Sequence, residues 1–171
     1  VQPRIKGRQF IGELDHPQSQ NVERQATPLL SNASHLFTNV WLDGKKVMGQ
    51  GETLNTDAGR NLANLLLDKV NVGFSLRGLG NVQETKINNE TVNIVKPPLM
   101  IISWDAVSNP SHTEALVQEI SLDENTIAQC VGNVCSESSK NIQSFILEVL
   151  VQQVLTEQAL FNLESEIWWS I

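Results

Sequence analysis

The sequence is short of most features that settle a protein's class at a glance. It has two cysteines, Cys130 and Cys135, too few for a disulfide framework or for the four ligands of a structural zinc site. They read as a reduced, partly buried pair, with a reducing compartment as the default. The 12 basic residues face 19 acidic ones, for a formal net charge of −7, and they form no dense run. No nucleic-acid partner is expected, because such surfaces need clustered Lys and Arg. The longest apolar runs, "LMII" and "FILEVLV", are far too short to span a bilayer, so no membrane partner is expected either. There is no G-x-S-x-G elbow. The "GLGN" stretch is no phosphate loop, because no helix with the required Gly follows it. No cofactor or metal is expected. No signal peptide is visible, and because the chain starts at Val, that absence carries no weight.

What remains is a chain of 171 residues with 40% hydrophobic content, enough for one domain with its own core. Internal repeats and low-complexity tracts are missing. Residues 1–34 are polar and turn-rich, and are expected to be extended segments and loops with one short strand around Gln9–Leu14. "HLFTNVWLDGKKVMGQGETL" reads as a hairpin with its turn near Asp43–Lys45. In "NTDAGRNLANLLLDKV" the period changes. Thr56 or Asn55 can cap, Asp57 suits the first turn, and Ala58, Leu62, Leu65, Leu66 and the Lys69 stem share one face, which predicts a helix over 56–70. Strand character returns in "NVGFSLRGLGNVQETKI" and "ETVNIVKPPLMIISWDAVSNP", with a tight turn at Asn88-Asn89, a break at Pro97-Pro98 and a buried strand in "LMIISWDAV". "TEALVQEI" reads as a short helix. "SLDENTIAQCVGNVCSESSK" reads as a loop. "NIQSFILEVLVQQVLTEQALFNL" predicts a long C-terminal helix, with apolar residues at 142, 145, 146, 149, 150, 154 and 160. The class is α+β: one domain over 1–171, β-rich over 1–110 and mainly helical over 111–171.

The chemistry-bearing inventory is small, with three histidines, His16, His35 and His112. "VNVGFSLRGLGN" places Ser75 on an apolar, β-prone segment with Arg77, Gly78 and Gly80 close behind. A serine becomes a nucleophile only when a base takes its proton, and acyl transfer also needs donors where the oxyanion forms. On spacing alone the plainer account is preferred: a strand edge with a bulge, Ser75 bonded to backbone and Arg77 paired with an acid. Two further stretches shift the balance. "ELDHP" supplies a base, His16, and "ISWDAVSNPS" supplies an acid, Asp105, at the end of a buried strand. The order His16, Ser75, Asp105 is allowed, because triads are defined by geometry and role.

"GELDHP", "NVWLDGKKVMGQGETLNTDAG", "VGFSLRGLG" and "WDAVSNPS" together resemble the prohead (procapsid maturation) serine proteases of tailed bacteriophages. That family carries a G-E-L-x-H-P block, a W-x-x-G-x-x-V-x-G hairpin, an L-x-T-x-x-G helix start, a G-V-S-S-R-G-x-G block and a D-x-V-x-x-P-S strand end. All five occur here in order, over roughly residues 9–115. The resemblance implies a fold like herpesvirus assemblin, a small, mainly antiparallel β-barrel flanked by helices. It implies a serine endopeptidase that digests the internal scaffold and trims capsid proteins inside the prohead, in the host cytoplasm, and that cuts after Glu. Scaffold and capsid proteins are the implied partners, with self-association into a homo-oligomer. His16 becomes the general base and Ser75 the nucleophile. Leu76 stands where the family has a second Ser, which leaves one candidate serine in the block.

Asp105 matches the family's strand-end acid and is the preferred third member. His112 is the alternative, because assemblin-like enzymes use a second histidine. Asp15 is weaker, because neighbours on a strand point to opposite faces. His35 reads as structural. Arg77 and Gly78 are assigned to the oxyanion side, and Glu13 to an ion pair, with Arg77 as its candidate partner. Glu124, in Leu122-Asp123-Glu124, and Glu157, in Leu155-Thr156-Glu157, are candidate self-cleavage sites. Two rivals stand beside this reading. One is a catalytically inactive structural relative with the same barrel, a phage capsid or tail-tube component. The other is a metal-dependent hydrolase built on His16, His35 and Asp15, for which no ligand spacing is recognisable.

Overall fold

The structure is a computed structural model that describes residues 1–87, 90–122 and 142–150. Among the described residues the strands are β1 (Ile11–Glu13), β2 (Ala33–Asp43), β3 (Lys46–Thr53), β4 (Gly73–Ile87), β5 (Glu90–Val107), β6 (Val117–Leu122) and β7 (Ile142–Leu150), and the longest helix is α3 (Asp57–Leu67). They form a five-stranded sheet in the order β1-β2-β3-β7-β6 and a separate two-stranded β4-β5 ladder. Every strand pairing in both sheets is antiparallel. The expected closed barrel is therefore corrected. Among the described residues the two sheets meet only at single bridges, Leu14 with Ala106 and Gly73 with Leu116, and no continuous ladder closes the ring.

Local chemistry explains most of the elements. Asp43 pairs with Lys46 across the β2–β3 turn, and burial along β3 alternates strictly from one residue to the next, the period-2 mark of a strand. Thr56 caps α3, its Oγ1 accepting the Gly59 N–H at 3.0 Å. The buried face of α3 is Gly59, Leu62, Ala63 and Leu66. Leu65, expected on that face, is exposed, and Lys69 lies beyond the helix end. β4 and β5 pair from Gly73–Val107 out to Ile87–Glu90, and the expected turn at Asn88-Asn89 lies outside the described residues. Pro97-Pro98 does not end β5. Leu99 faces Gly80 and Lys96 faces Asn81, so the two prolines form a bulge, a position that needs no amide donor.

Four expectations fail in instructive ways. The N-terminal region holds two five-residue helices, α1 (Gln2–Lys6) and α2 (Val22–Ala26), the second capped by Asn21. "TEALVQEI" contains β6 rather than a helix. The long C-terminal helix is not supported: residues 142–150 form β7, between β3 and β6. For that reason the described part of 111–171 is strand rather than mainly helix. An apolar-rich stretch such as "IQSFILEVL" fits a strand as well as a helix, and tertiary pairing decides between them.

The core lies under β2, α3 and the first half of the β4–β5 ladder. Phe10, Phe37, Phe74 and Trp104 form its aromatic centre, with Phe10 and Trp104 edge-to-face at 5.3 Å and Phe37 and Trp104 at 5.6 Å. His35 belongs to this core. It is buried and meets Phe74 edge-to-face at 4.9 Å. Beneath β1 the packing is tight enough to dictate a residue: a Cβ on Gly12 would sit 2.2 Å from both the His35 ring and the Trp104 carbonyl. Only glycine lets β1 lie this close, and that closeness sets the next residues against the end of β5.

Candidate active site

The site grows from the face of the β4–β5 ladder turned away from Phe74 and Trp104. Ser75 pairs with Asp105 and Arg77 with Ser103. Residues directly opposite, and two apart, share a face, so all four side chains stand together, and all four are buried. β1 closes over them, and the parallel bridge from Leu14 to Ala106 brings His16 to the same place.

Asp105 is the hub. Its Oδ1 accepts the Glu13 N–H at 3.0 Å, the Ser103 hydroxyl at 2.8 Å and Arg77 Nη2 at 3.1 Å. Its Oδ2 lies 2.8 Å from His16 Nδ1 and 2.9 Å from Arg77 Nε. Burial alone pushes this carboxyl up, and it is the largest single influence. The His16 hydrogen bond, the Glu13 N–H, the Arg77 charge and the Ser103 hydroxyl outweigh it together and hold the group below its ordinary value. An ionised carboxylate only accepts, so His16 Nδ1 is the donor of this bond, and in the neutral tautomer that makes it Nε2 is the acceptor. The His16 side chain is 36% exposed against 0% for Asp105: an imidazole fixed at its inner nitrogen and open at its outer one.

A second layer holds the hub. Arg77 Nη2 lies 3.7 Å from Glu13 Oε1, which joins the Glu13–Arg77 pair anticipated above. Arg24, on α2, grips the same carboxylate with both terminal nitrogens, at 3.0 and 2.5 Å. Two carboxylates and two guanidiniums thus balance in a nearly dry cluster, the condition under which buried charge is tolerated. Ser103 joins the layers by accepting from Arg77 Nε at 3.0 Å while donating to Asp105. Ser103 was legible in principle, two residues before Asp105 on one strand. Arg24 had no such signal, because packing alone brings it to Glu13.

Ser75 is 6% exposed. Its Oγ lies 3.0 Å from the Ser111 Oγ, and no hydrogen bond joins it to His16 among the described residues. Ser111 follows Pro110 in the "SNPS" block and was not singled out from the sequence. The assignment of Arg77 and Gly78 to an oxyanion does not suit the geometry. The Arg77 guanidinium is committed to Asp105, Glu13 and Ser103, and Gly78 stands three residues along an extended strand from Ser75, about 10 Å away.

The remaining candidates make no hydrogen bond to the His16–Asp105 pair among the described residues. His112 Nε2 is buried without a hydrogen-bond partner. Asp15 is exposed, with φ 63° and its N–H on the Ala106 carbonyl at 2.8 Å. It sits past the end of β1, so its exclusion rests on exposure rather than on strand alternation. His35 spends both ring nitrogens, one 2.8 Å from Ser34 Oγ and the other 2.8 Å from the Trp104 carbonyl. Burial first of all lowers its pKa to about 4, so the ring is neutral. With both nitrogens spent it cannot join His16 and Asp15 as a ligand, and no group of three metal-binding side chains occurs among the described residues. Glu124, Glu157, Cys130 and Cys135 lie outside the described residues.

The arrangement has known counterparts in sequence. The family model described as "Prohead core protein serine protease" matches residues 1–126, a stretch that contains every residue of the site. A prohead core protein protease of Enterobacteria phage T4 is 29% identical over 133 residues, covering 75% of this chain and 58% of that protein. The chain therefore spans less than two thirds of that relative's length. No solved structure matches.

Proposed function

The chain belongs to the prohead core protein serine protease family, and we propose that it is a working endopeptidase in which His16, Ser75 and Asp105 cleave peptide bonds. The observation that carries this reading is the 2.8 Å contact between His16 Nδ1 and a buried, ionised Asp105. Such a pair holds the imidazole in one tautomer and stabilises the imidazolium that forms during acyl transfer. His16 Nε2 accepts the Ser75 proton as Oγ attacks the carbonyl, and then returns it to the leaving amine. Water cleaves the ester by the same route. A hydroxyl can donate one bond while it accepts others, so Ser75 can face His16 without giving up Ser111.

The substrates we propose are the internal scaffold and the capsid proteins, cut after Glu within the prohead interior in the host cytoplasm, by a self-associating enzyme. Self-trimming after Glu124 or Glu157 belongs to the same proposal. Support comes from the family match, from five sequence blocks in register, and from the ladder that sets Ser75 opposite Asp105, whose Oδ2 meets His16 Nδ1.

The test is intact mass against time for the chain and for Ser75→Ala, with a Glu-containing scaffold-like peptide added. Cleavage after Glu that disappears in Ser75→Ala is the expected result. Cleavage that persists in Ser75→Ala would remove Ser75 as the nucleophile. A folded wild type that cuts nothing would favour the inactive structural relative.

A further inference from the structure

Acyl transfer needs hydrogen-bond donors about 2.7–3.1 Å from the developing oxyanion, and two candidates near Ser75 are engaged elsewhere. The Arg77 guanidinium is buried in ion pairs. Nor can the amide of Ser75 serve. Successive amides of a strand point to opposite sides, and the Phe74 N–H leaves the ladder for the Ala115 carbonyl at 2.8 Å. The Ser75 N–H therefore points into the ladder, toward β5.

One donor stands beside the reacting oxygen. Ser111 Oγ lies 3.0 Å from Ser75 Oγ, and Ser111 is exposed, on the side from which a substrate can arrive. Its loop is nonetheless fixed at both ends. Pro110 lies so close to Gly73 that a Cβ there would be 2.3 Å from the proline ring. Beyond Ser111, the Ala115 N–H bonds the His112 carbonyl at 3.0 Å, and the Ala115 carbonyl takes the Phe74 amide. Both anchors lie within two residues of Ser75.

We propose that Ser111 is a catalytic residue whose hydroxyl donates to the oxyanion formed on Ser75; this rests on the serine-protease reading above. Either hydroxyl of the 3.0 Å pair can be the donor; in this proposal Ser111 O–H donates to Ser75 Oγ in the free enzyme. As the Oγ–C bond forms, the Ser75 proton passes to His16 Nε2 and the carbonyl π pair moves onto oxygen. That oxygen is bonded to the same carbon as Ser75 Oγ, so Ser111 reaches it by a hydroxyl rotation and a small side-chain adjustment. Ser111 gives a hydrogen bond and no proton. When the tetrahedral intermediate collapses the carbonyl re-forms, and after water has cleaved the ester the bond returns to Ser75.

The decisive comparison is Ser111→Thr with Ser111→Val, two side chains of one shape that differ in the hydroxyl, measured in the full chain on the Glu-containing scaffold-like peptide. Ser111→Val is expected to lose about 10²–10³-fold in kcat, with KM within about threefold. Ser111→Thr should keep most of the rate. A peptide aldehyde ending in Glu, which forms a hemiacetal on Ser75, should bind more weakly to Ser111→Val in the same proportion, while the cleaved product peptide binds equally to both. If Ser111→Val turns over as fast as Ser111→Thr, or product binding weakens as much as aldehyde binding, the assignment is wrong and the loop has only a structural part. A wild type without Ser75-dependent cleavage overturns the protease reading itself, a result distinct from either.

Discussion

Two halves of the site are built on opposite plans. The floor, made of Glu13, Arg24, Arg77, Ser103 and Asp105, is charged, buried and over-determined: Asp105 alone has five polar neighbours on four residues. The rim, Ser75 and Ser111, is neutral and joined by one hydroxyl contact of 3.0 Å. A carboxylate–imidazole pair loses function when its geometry drifts, so its supports are many and mutually locked. A nucleophile has to change partners within each turnover, and one weak, reversible contact suits it. In the proposed mechanism the floor would fix the proton's path, and the rim would exchange hydroxyl partners without moving its backbone.

The largest expected effect comes from breaking the floor at its hub. Asp105→Asn removes the acceptor that sets the His16 tautomer and leaves Arg77 with less compensation. Steady-state kinetics should show a loss of about 10⁴-fold in kcat. Urea denaturation should show a loss of about 3–5 kcal/mol. Equal loss from a change at the rim that spares the Ser75 hydroxyl would erase the distinction between the halves. Next comes Glu13→Gln, which strands Arg24 beside a neutral amide. Denaturation should again lose about 3–5 kcal/mol, while the folded fraction keeps far more activity than Asp105→Asn.

A smaller effect sharpens the contrast through pH, because the rim contains no titratable group. His35 has a folded pKa of about 4 against an ordinary 6.5. Its neutral burial leaves stability intact above pH 6.5 and withdraws it as pH falls toward 4, by roughly 3 kcal/mol in all. Asp105 has a depressed pKa, so its contribution is present above its ordinary 3.8 and is lost only below that, as pH falls through the folded value. Denaturation midpoints of Ser75→Ala across pH 7 to 3 should fall in two stages, the His35 stage first. A flat curve between 6.5 and 4 would show that the imidazole is not buried. The smallest effect belongs to Asp15→Asn. Next to His16 in sequence but exposed, it should change kcat/KM by less than about twofold and stability by less than about 0.5 kcal/mol.

How much of this was legible follows from where each signal resides. Thr56 and the apolar residues after it announced α3, because capping and helical period are local. The β2–β3 hairpin announced itself through Asp43-Gly44 for the same reason. β7 did not, because "IQSFILEVL" has apolar residues at both odd and even positions and so shows no period-2 alternation. α1 and α2 span five residues each, too few to leave a period. In the site, His16, Ser75 and Asp105 could be picked out from their blocks, and the fold joins His16 to Asp105 and sets Ser75 opposite Asp105 on the ladder. Arg24 could not, because its partner is eleven residues back and only the path of the chain through α2 brings them together. Ser111 lay in plain view in "NPS", but its place beside Ser75 depends on Pro110 resting against Gly73, which no linear pattern records.

The position of β7 bears on what self-trimming would produce. β7 sits between β3 and β6 in the five-stranded sheet, and Glu124 falls between β6 and β7 in the chain. Cleavage there would leave the piece carrying β7 hydrogen-bonded on both edges to the piece carrying the catalytic residues. The cut enzyme would be a complementing pair of fragments, active while they remain together and failing on dilution or mild denaturant, where the uncut chain survives.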